Sequence, residues 1–140
     1  MATLLDDLRS DEGWSPYVYR DSHPEKYQTI GYGFLVDSRK GVGLPKEVAE
    51  FWLEYAVNER LTELRSRWPG YDLQSPEVQR ALGNMAYQLG VSGLLKFGKM
   101  LAALDRGDRA IAAAEALDST WAKQTPARAR RVATLIRGSP

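Results

Sequence analysis

The chain of 140 residues contains no cysteine and a single histidine, His23. Without cysteine there are no disulfides, thiol nucleophiles or thiolate metal sites, and one histidine cannot build a histidine-rich metal cluster. No Gly-x-Ser-x-Gly sequence accompanies His23, which excludes the serine and histidine chemistry that this motif carries. We therefore expect no metal and no cofactor, and carboxylates are the natural remaining catalysts.

The chain also has little net charge and no long hydrophobic run. Nineteen Lys and Arg residues against eighteen Asp and Glu residues leave a net charge of +1, which does not indicate a nucleic-acid or membrane partner. No segment approaches the roughly 20 apolar residues that a membrane span needs, and residues 1–8 lack the regions of a secretory signal. We expect that the protein does not insert into a membrane and that it is made in the cytoplasm. Action beyond a membrane would then require release by another protein.

Local patterns predict a single α+β domain over residues 1–140. Thr3 and Asp6 have the spacing of an N-cap and capping box, and Gly13 is a helix stop, so a first helix is predicted at 3–12. Aromatic and β-branched residues bounded by turn formers follow. They predict a small antiparallel sheet within a β-bearing lobe at about 13–45.

The rest of the sequence predicts helices. Pro45 and apolar residues recurring at steps of three and four predict a long connecting helix at about 46–68. Ser75-Pro76 opens a helix that is apolar all round and is closed by Gly90 and Gly93, as expected for a buried central helix. Shorter helices are predicted at about 94–104, 108–117 and 126–136. Together they form a helical lobe at about 75–140, on which the first helix is expected to pack.

Two acids bracket the first predicted strand. Glu12 ends the first helix, and Asp21 lies nine positions further on, so a strand out and a turn back leave both carboxyls at one cleft. Cleavage of a glycosidic bond needs such a pair, with one acid to protonate the leaving oxygen and one carboxylate that stays charged. A hydroxyl such as that of Thr29 could hold the attacking water. On spacing alone, two solvated surface carboxylates remain the alternative.

Two separated blocks of sequence narrow this choice. The first contains Glu12-Gly13, Tyr17, Asp21 and Thr29-Ile30-Gly31-Tyr32-Gly33, and the second contains Asn84-Met85, Gln88-Leu89-Gly90, Phe97, Trp121 and Gln124-Thr125-Pro126-x-Arg128-Ala129-x-Arg131-Val132. In order and residue type, the two blocks resemble the phage-type lysozymes of glycoside hydrolase family 24. The resemblance spans nearly the whole chain and implies a lysozyme-like α+β fold, in which a small antiparallel β lobe is joined by a long helix to a helical C-terminal lobe.

The resemblance also implies roles for the two acids. Glu12 corresponds to the general acid, Asp21 to the carboxylate that stabilises positive charge or directs water, and Thr29 to the residue that positions the water. It places Leu35, Tyr87 and Gln88 on the walls of the glycan cleft, and for the last two simple packing at the lobe junction remains an alternative.

The family further implies structural support of the active site by Arg128 near Glu12 and by Arg131 near Asp11. These arginines belong to residues 122–137, which carry a local charge of +5 and no acid. A nucleic-acid-binding helix is one interpretation of such a segment. Its apolar positions and the implied partners favour a packed helix, so no nucleic acid is expected as a partner.

The sequence departs from the family in one loop and at three single positions. The loop of seven residues from 22 to 28 is longer than is usual, which bears on the placement of Thr29. Phe34 replaces a common histidine, so any buried ion pair made by that histidine is missing. Met100 and Glu115 stand where other cleft contacts are usual.

The function implied by the resemblance is that of a monomeric endolysin-type muramidase. Its partner would be the glycan strands of bacterial peptidoglycan, in which it would hydrolyse the β-1,4 bond between N-acetylmuramic acid and N-acetylglucosamine, leading to lysis of the host cell. It would be made in the host cytoplasm and act on the wall in the periplasm, either after release through a holin or as a component of the virion. The alternatives are a lytic transglycosylase and a catalytically inactive wall-binding or virion-structural protein of the same fold.

Overall fold

The computed structural model describes residues 1–138, and Ser139 and Pro140, at the end of the predicted helical lobe, lie outside the described residues. The α-helices are α1 (Leu4–Glu12), α2 (Lys46–Arg67), α3 (Pro76–Leu95), α4 (Gly98–Asp105), α5 (Arg109–Leu117), α6 (Thr120–Gln124) and α7 (Pro126–Arg137). The strands are β1 (Ser15–Arg20), β2 (Gln28–Gly31) and β3 (Phe34–Leu35). Short 3-10 helices occupy Ser38–Lys40 and Pro69–Leu73. This confirms the predicted α+β class, with a small antiparallel sheet near the N-terminus.

The chain divides into two compact units, Met1–Phe51 and Trp52–Pro140. Helix α2 begins in the first unit and continues into the second. The predicted packing of the first helix on the helical lobe would join the two units, and it stays a prediction. No helix among residues 1–138 is long and apolar enough to cross a membrane.

The first unit holds α1 and the sheet. Thr3 caps α1 as predicted, because its hydroxyl oxygen accepts a hydrogen bond from the Asp6 backbone N–H and the Asp6 carboxylate accepts from the Thr3 backbone N–H. These two bonds satisfy donors that a helix N-terminus otherwise leaves unpaired. The hydrogen bonds that the Thr3 backbone N–H and the Thr3 hydroxyl donate to the Asp6 carboxylate lower the pKa of Asp6. Gly13, with φ of 70°, ends the helix.

The sheet has the order β1-β2-β3, and both pairs of strands are antiparallel. Thr29 on the central strand lies opposite Tyr19 on one side and Leu35 on the other. Gly31 and Gly33 both have φ near +70°, a conformation that glycine adopts at no steric cost. These glycines allow the tight turn that joins β2 to β3.

The second unit is built around α3. Ser75 caps this helix by accepting from the Val78 backbone N–H at 3.3 Å, and Pro76 occupies the first helical position, where its missing N–H costs nothing. One face of α3 is fully buried and packs on α7. The largest fully buried apolar side chains in this unit are Leu64, Leu82, Met85, Leu94, Met100, Ile136, Val78 and Val132.

Two helix boundaries differ from the prediction. The backbone of α3 leaves the helical conformation at Gly90, where φ is 75°, as predicted, but helical turns resume and run on to Leu95. The predicted helix at 94–104 is therefore wrong at its start, since α4 begins only at Gly98. The five-residue α6 was not predicted at all. It begins after Ser119, whose hydroxyl oxygen accepts from the Ala122 backbone N–H at 3.1 Å.

Candidate active site

Glu12 is the last residue of α1, and its side chain is exposed. Its carboxylate lies directly against Gly33, since a Cβ atom built on Gly33 would stand 2.5 Å from Glu12 Oε2. Within the first unit the carboxylate accepts no hydrogen bond. The absence of a side chain at Gly33 thus leaves room for the carboxylate at the turn between β2 and β3.

Asp21 follows β1 and is half-buried. Its Oδ1 accepts hydrogen bonds from the backbone N–H groups of His23 and Tyr27, each at 3.0 Å. Its Oδ2 accepts none within the first unit. One oxygen therefore orients the carboxylate while the other remains available for chemistry.

Thr29 is buried on β2, with 4% of its surface exposed. Its hydroxyl donates to the Tyr27 carbonyl at 3.2 Å. A carbonyl oxygen can only accept, so the hydroxyl proton is committed to this bond. The lone pairs of Thr29 Oγ1 are then the part of the group that a water molecule can use.

Tyr27 links the two residues. Its N–H donates to Asp21 Oδ1, and its carbonyl accepts both from the Asp21 backbone N–H at 2.9 Å and from the Thr29 hydroxyl. The longer loop is thereby closed at Tyr27. Next to it, Tyr19 pairs with Thr29 and Arg20 pairs with Gln28. Sequence reasoning missed Tyr27, because its contribution here is made by backbone groups.

A buried acid holds the same loop from the other side. Asp37 is 1% exposed and forms an ion pair with Arg39, with Arg39 Nη2 at 2.7 Å from Asp37 Oδ2. The Arg39 side chain, together with the backbone N–H groups of Gln28 and Arg39, holds the pKa of Asp37 well below its usual value. The sequence indicated only that a histidine ion pair is missing at Phe34, and this different pair was not predicted.

The remaining predicted site residues are spread over both units. Leu35 is half-buried on β3 beside Thr29. In the second unit, Tyr87 is exposed on α3 with the guanidinium carbon of Arg60 at 5.2 Å from its ring centre. Gln88 is also exposed, and its Oε1 accepts from Trp121 Nε1 at 2.9 Å. Its amide nitrogen is then the group left for a ligand.

Arg128 is fixed within the second unit. Its Nε donates to the Asn84 side-chain oxygen at 2.7 Å. Asp11 and Arg131 are both exposed. The pairs predicted to support the active site, Arg128 with Glu12 and Arg131 with Asp11, would each join the two units and stay predictions.

The second unit also contains an open cavity of about 740 Å³. Met100 and Glu115 both line it, next to Phe97 and Trp121. The two aromatic rings meet edge to face with centroids 6.1 Å apart. Among residues 1–138 no group of three or more acidic or histidine side chains is placed to hold a metal ion.

A small three-stranded sheet with two acids and a hydroxyl near one end, followed by a helical unit, is the arrangement of a lysozyme-like α+β protein. The phage lysozyme family model matches residues 9–137, and the chain belongs to this family. The resemblance seen in the sequence is thereby confirmed. Membership supports a glycosidase-type, lysozyme-like function.

Individual relatives are distant. The chain is similar to the pre-baseplate central spike protein Gp5 of Enterobacteria phage T4, with 32% identity over 159 residues that cover 96% of this chain and 27% of the spike protein. The chain therefore spans about a quarter of the length of that relative. It is also similar to probable T4-type lysozyme 2 of Dictyostelium discoideum, with 27% identity over 162 residues that cover 97% of this chain and 94% of the relative.

Proposed function

We propose that the protein is an endolysin-type muramidase, which hydrolyses the β-1,4 bond between N-acetylmuramic acid and N-acetylglucosamine in bacterial peptidoglycan. The observation that carries this proposal is that Asp21 and Thr29 are both hydrogen-bonded to the backbone of Tyr27, in the same unit as Glu12. Backbone groups thus orient the Asp21 carboxylate and the Thr29 hydroxyl, and Gly33 leaves space for the Glu12 carboxylate. Family membership supports the same reaction class.

Each group has a role that its surroundings favour. Glu12, whose carboxylate is free of hydrogen bonds within its unit, donates a proton to the oxygen of the leaving sugar. Asp21, oriented through Oδ1, offers Oδ2 to the oxocarbenium-like transition state or, as a base, to the attacking water, whose proton it takes. The hydroxyl of Thr29 donates its hydrogen bond to the Tyr27 carbonyl. Thr29 Oγ1 can therefore accept a hydrogen bond from the water, which leaves a lone pair of the water free to attack. A single displacement of this kind inverts the anomeric centre.

Replacement of Glu12 tests the proposal. Glu12→Gln removes the transferable proton with little change in shape, and we expect it to abolish lysis of outer-membrane-permeabilised Gram-negative cells in a turbidity assay. Glu54→Gln, at an exposed position of α2 without hydrogen bonds, is the matched control and should lyse cells like the wild type. Full activity of Glu12→Gln would disprove the assigned mechanism.

A second measurement separates hydrolysis from transglycosylation. A lytic transglycosylase needs only one catalytic acid and leaves an anhydro product that is lighter by one water. Mass spectrometry of digested muropeptides distinguishes the two products. The presence of Asp21 with a free oxygen favours the hydrolysed product.

The protein could act in one of two places, as a lysis enzyme released from the host cytoplasm or as a component of the phage particle. We favour a lysis enzyme made in the host cytoplasm, released through a holin and acting on the wall in the periplasm as a monomer. The similarity to part of a phage central spike protein favours the second candidate, a virion component, either active or a wall-binding structural protein. Detection of the chain in purified phage particles would support the second, and the turbidity assay separates an active enzyme from an inactive relative.

A further inference from the structure

The loop between Asp21 and Thr29 is held by a side chain from outside the loop. Arg39 lies in the 3-10 turn after β3, and its Nη2 is 3.0 Å from the carbonyl oxygens of both Glu25 and Lys26. The same nitrogen is 2.7 Å from Asp37 Oδ2. One guanidinium therefore joins two neighbouring carbonyls of the loop to a buried carboxylate.

Asp37 fixes the direction of that guanidinium. Its Oδ1 accepts from Arg39 Nε and from the Arg39 backbone N–H, both at 2.9 Å, while its Oδ2 accepts from the Gln28 backbone N–H at 2.8 Å. The two-point contact with Nε and Nη2 uses the rigid fork of arginine, which lysine lacks. Asp37 thus binds the loop directly through Gln28 and indirectly through Arg39.

The loop needs such support. Lys26 has φ of 55° and is the one non-glycine residue with a left-handed backbone among residues 1–138, a conformation that costs an ordinary residue free energy. Arg39 binds the carbonyl of this residue, and its guanidinium carbon lies 5.2 Å from the ring centre of Tyr27. Lys40 approaches the same ring at 5.1 Å, and His23 stacks on it at 4.8 Å.

We infer that Arg39, held by Asp37, is a positioning residue for the reaction, which fixes the 22–28 loop and through Tyr27 sets the places of the Asp21 carboxylate and the Thr29 hydroxyl. The inference rests on the proposed function, because it assigns those two groups to catalysis. Arg39 and Asp37, which follow the Thr-Ile-Gly-Tyr-Gly motif in the sequence, thus hold the longer loop of this chain in place.

The test is the steady-state kinetics of Arg39→Ala and Arg39→Lys on soluble peptidoglycan fragments. We expect kcat of Arg39→Ala to fall by about tenfold to a hundredfold, since misplacement of catalytic groups by about 1 Å can have this effect, while KM stays within about twofold. Arg39→Lys keeps the charge but not the fork and should lie in between. Millimolar methylguanidinium should restore part of the kcat of Arg39→Ala. Arg65→Ala removes an arginine of similar exposure, which pairs with the exposed Asp72 in the second unit; it is the control and should leave kcat unchanged.

Backbone hydrogen exchange gives a readout that does not depend on activity. The N–H groups of Tyr27 and Gln28 should exchange at least tenfold faster in Arg39→Lys than in the wild type, while helical amides of the second unit exchange as before. Wild-type kcat in Arg39→Ala, or unchanged exchange at Tyr27 and Gln28, would overturn the inference and leave the proposed function standing. An inactive wild-type protein would instead overturn the proposed function, and with it the role of Arg39 and Asp37 in catalysis.

Discussion

Backbone groups of single residues do much of the orienting at this site. Tyr27 contacts Asp21 and Thr29 through its N–H and carbonyl alone, so replacement of its ring leaves those bonds possible. Gly33 contributes by having no side chain. The residue types that a sequence motif displays are therefore only part of what places the acids.

Gly33→Ala tests the room left for Glu12. The added Cβ would meet Glu12 Oε2 at 2.5 Å and would also sit on a residue with φ of 72°. We expect lytic activity to fall at least tenfold because the acid is displaced, and the free energy of unfolding to fall by about 1–2 kcal/mol because of the backbone conformation.

Gly41→Ala is its matched control. Gly41 has φ of 66° and open space around its Cβ position, so it shares the backbone cost without the collision. Urea denaturation should show similar losses for the two variants, and lysis should distinguish them. Equal activity of the two variants would refute the steric argument.

Asp37 makes stability depend on pH in a predictable direction. The ion pair with Arg39 and two backbone N–H groups keep its pKa in the folded protein below the usual 3.8. Below about pH 4 the unfolded chain therefore binds more protons than the folded one, so this contribution to stability is present above that pH and is lost as pH falls further. We expect Asp37→Asn to lower the urea midpoint at pH 7, with the difference from wild type narrowing towards pH 3. A difference that stays constant over this range would contradict the assignment.

Among the helices, α6 shows how a short element can matter to the site. Ser119 accepts from the Ala122 N–H and donates to the Ala116 carbonyl at 2.7 Å, which joins the end of α5 to the start of α6. Trp121, carried by α6, is buried and donates to Gln88. The orientation of a predicted glycan-binding residue thus depends on a helix of five residues.

Ser119→Ala should therefore destabilise the protein. Loss of the N-cap costs about 1 kcal/mol of unfolding free energy, and the accompanying shift of Trp121 should be visible in its fluorescence. Ser66→Ala, at an exposed position of α2, is the control and should leave the urea midpoint almost unchanged. A stable Ser119→Ala protein would show that packing alone holds α6.

The helices with chemical boundary signals were predicted well. Thr3 with Asp6 marked the start of α1, Gly13 its end, and Ser75-Pro76 the start of α3. Helix α6 has a cap but is too short to show a period, and nothing in the local sequence separates Leu94 from the helix that starts at Gly98. Boundaries without such signals are set by packing in the second unit, which no local pattern encodes.

The same reasoning applies to the candidate site. The spacing of Glu12, Asp21 and Thr29 suggested the chemistry but left two solvated surface carboxylates as the alternative, and the resemblance of two sequence blocks to a known family was needed to choose between them. Arg39 was not found, because its contacts with Glu25 and Lys26 arise only when residues after β3 fold back on the loop.

Over the whole molecule, a net charge of +1 conceals an uneven distribution. Residues 122–137 carry a charge of +5 and the remainder carries −4. In α7 the apolar face is buried as predicted, with Val132 and Ile136 almost inaccessible, while Arg130 and Arg137 are exposed. These two arginines line a groove with an alanine floor on α5. A helix that is packed on one face and positively charged on the other can attract anionic polymers of the cell wall, and this does not require that it binds nucleic acid.

Salt dependence of lysis tests this attraction. The screening length falls from roughly 30 Å at 0.01 M salt to about 8 Å at 0.15 M, so we expect lysis of whole cells to slow severalfold over that range. Arg130→Gln combined with Arg137→Gln should flatten the dependence, while the rate on small neutral glycan fragments stays unchanged. Arg106→Gln, which changes an exposed arginine outside residues 122–137, is the control and should behave like the wild type.

Retention of the full salt dependence in the double variant would show that the attraction depends on other residues. Tight binding of duplex DNA, abolished by the same two changes, would instead favour the nucleic-acid interpretation of this helix.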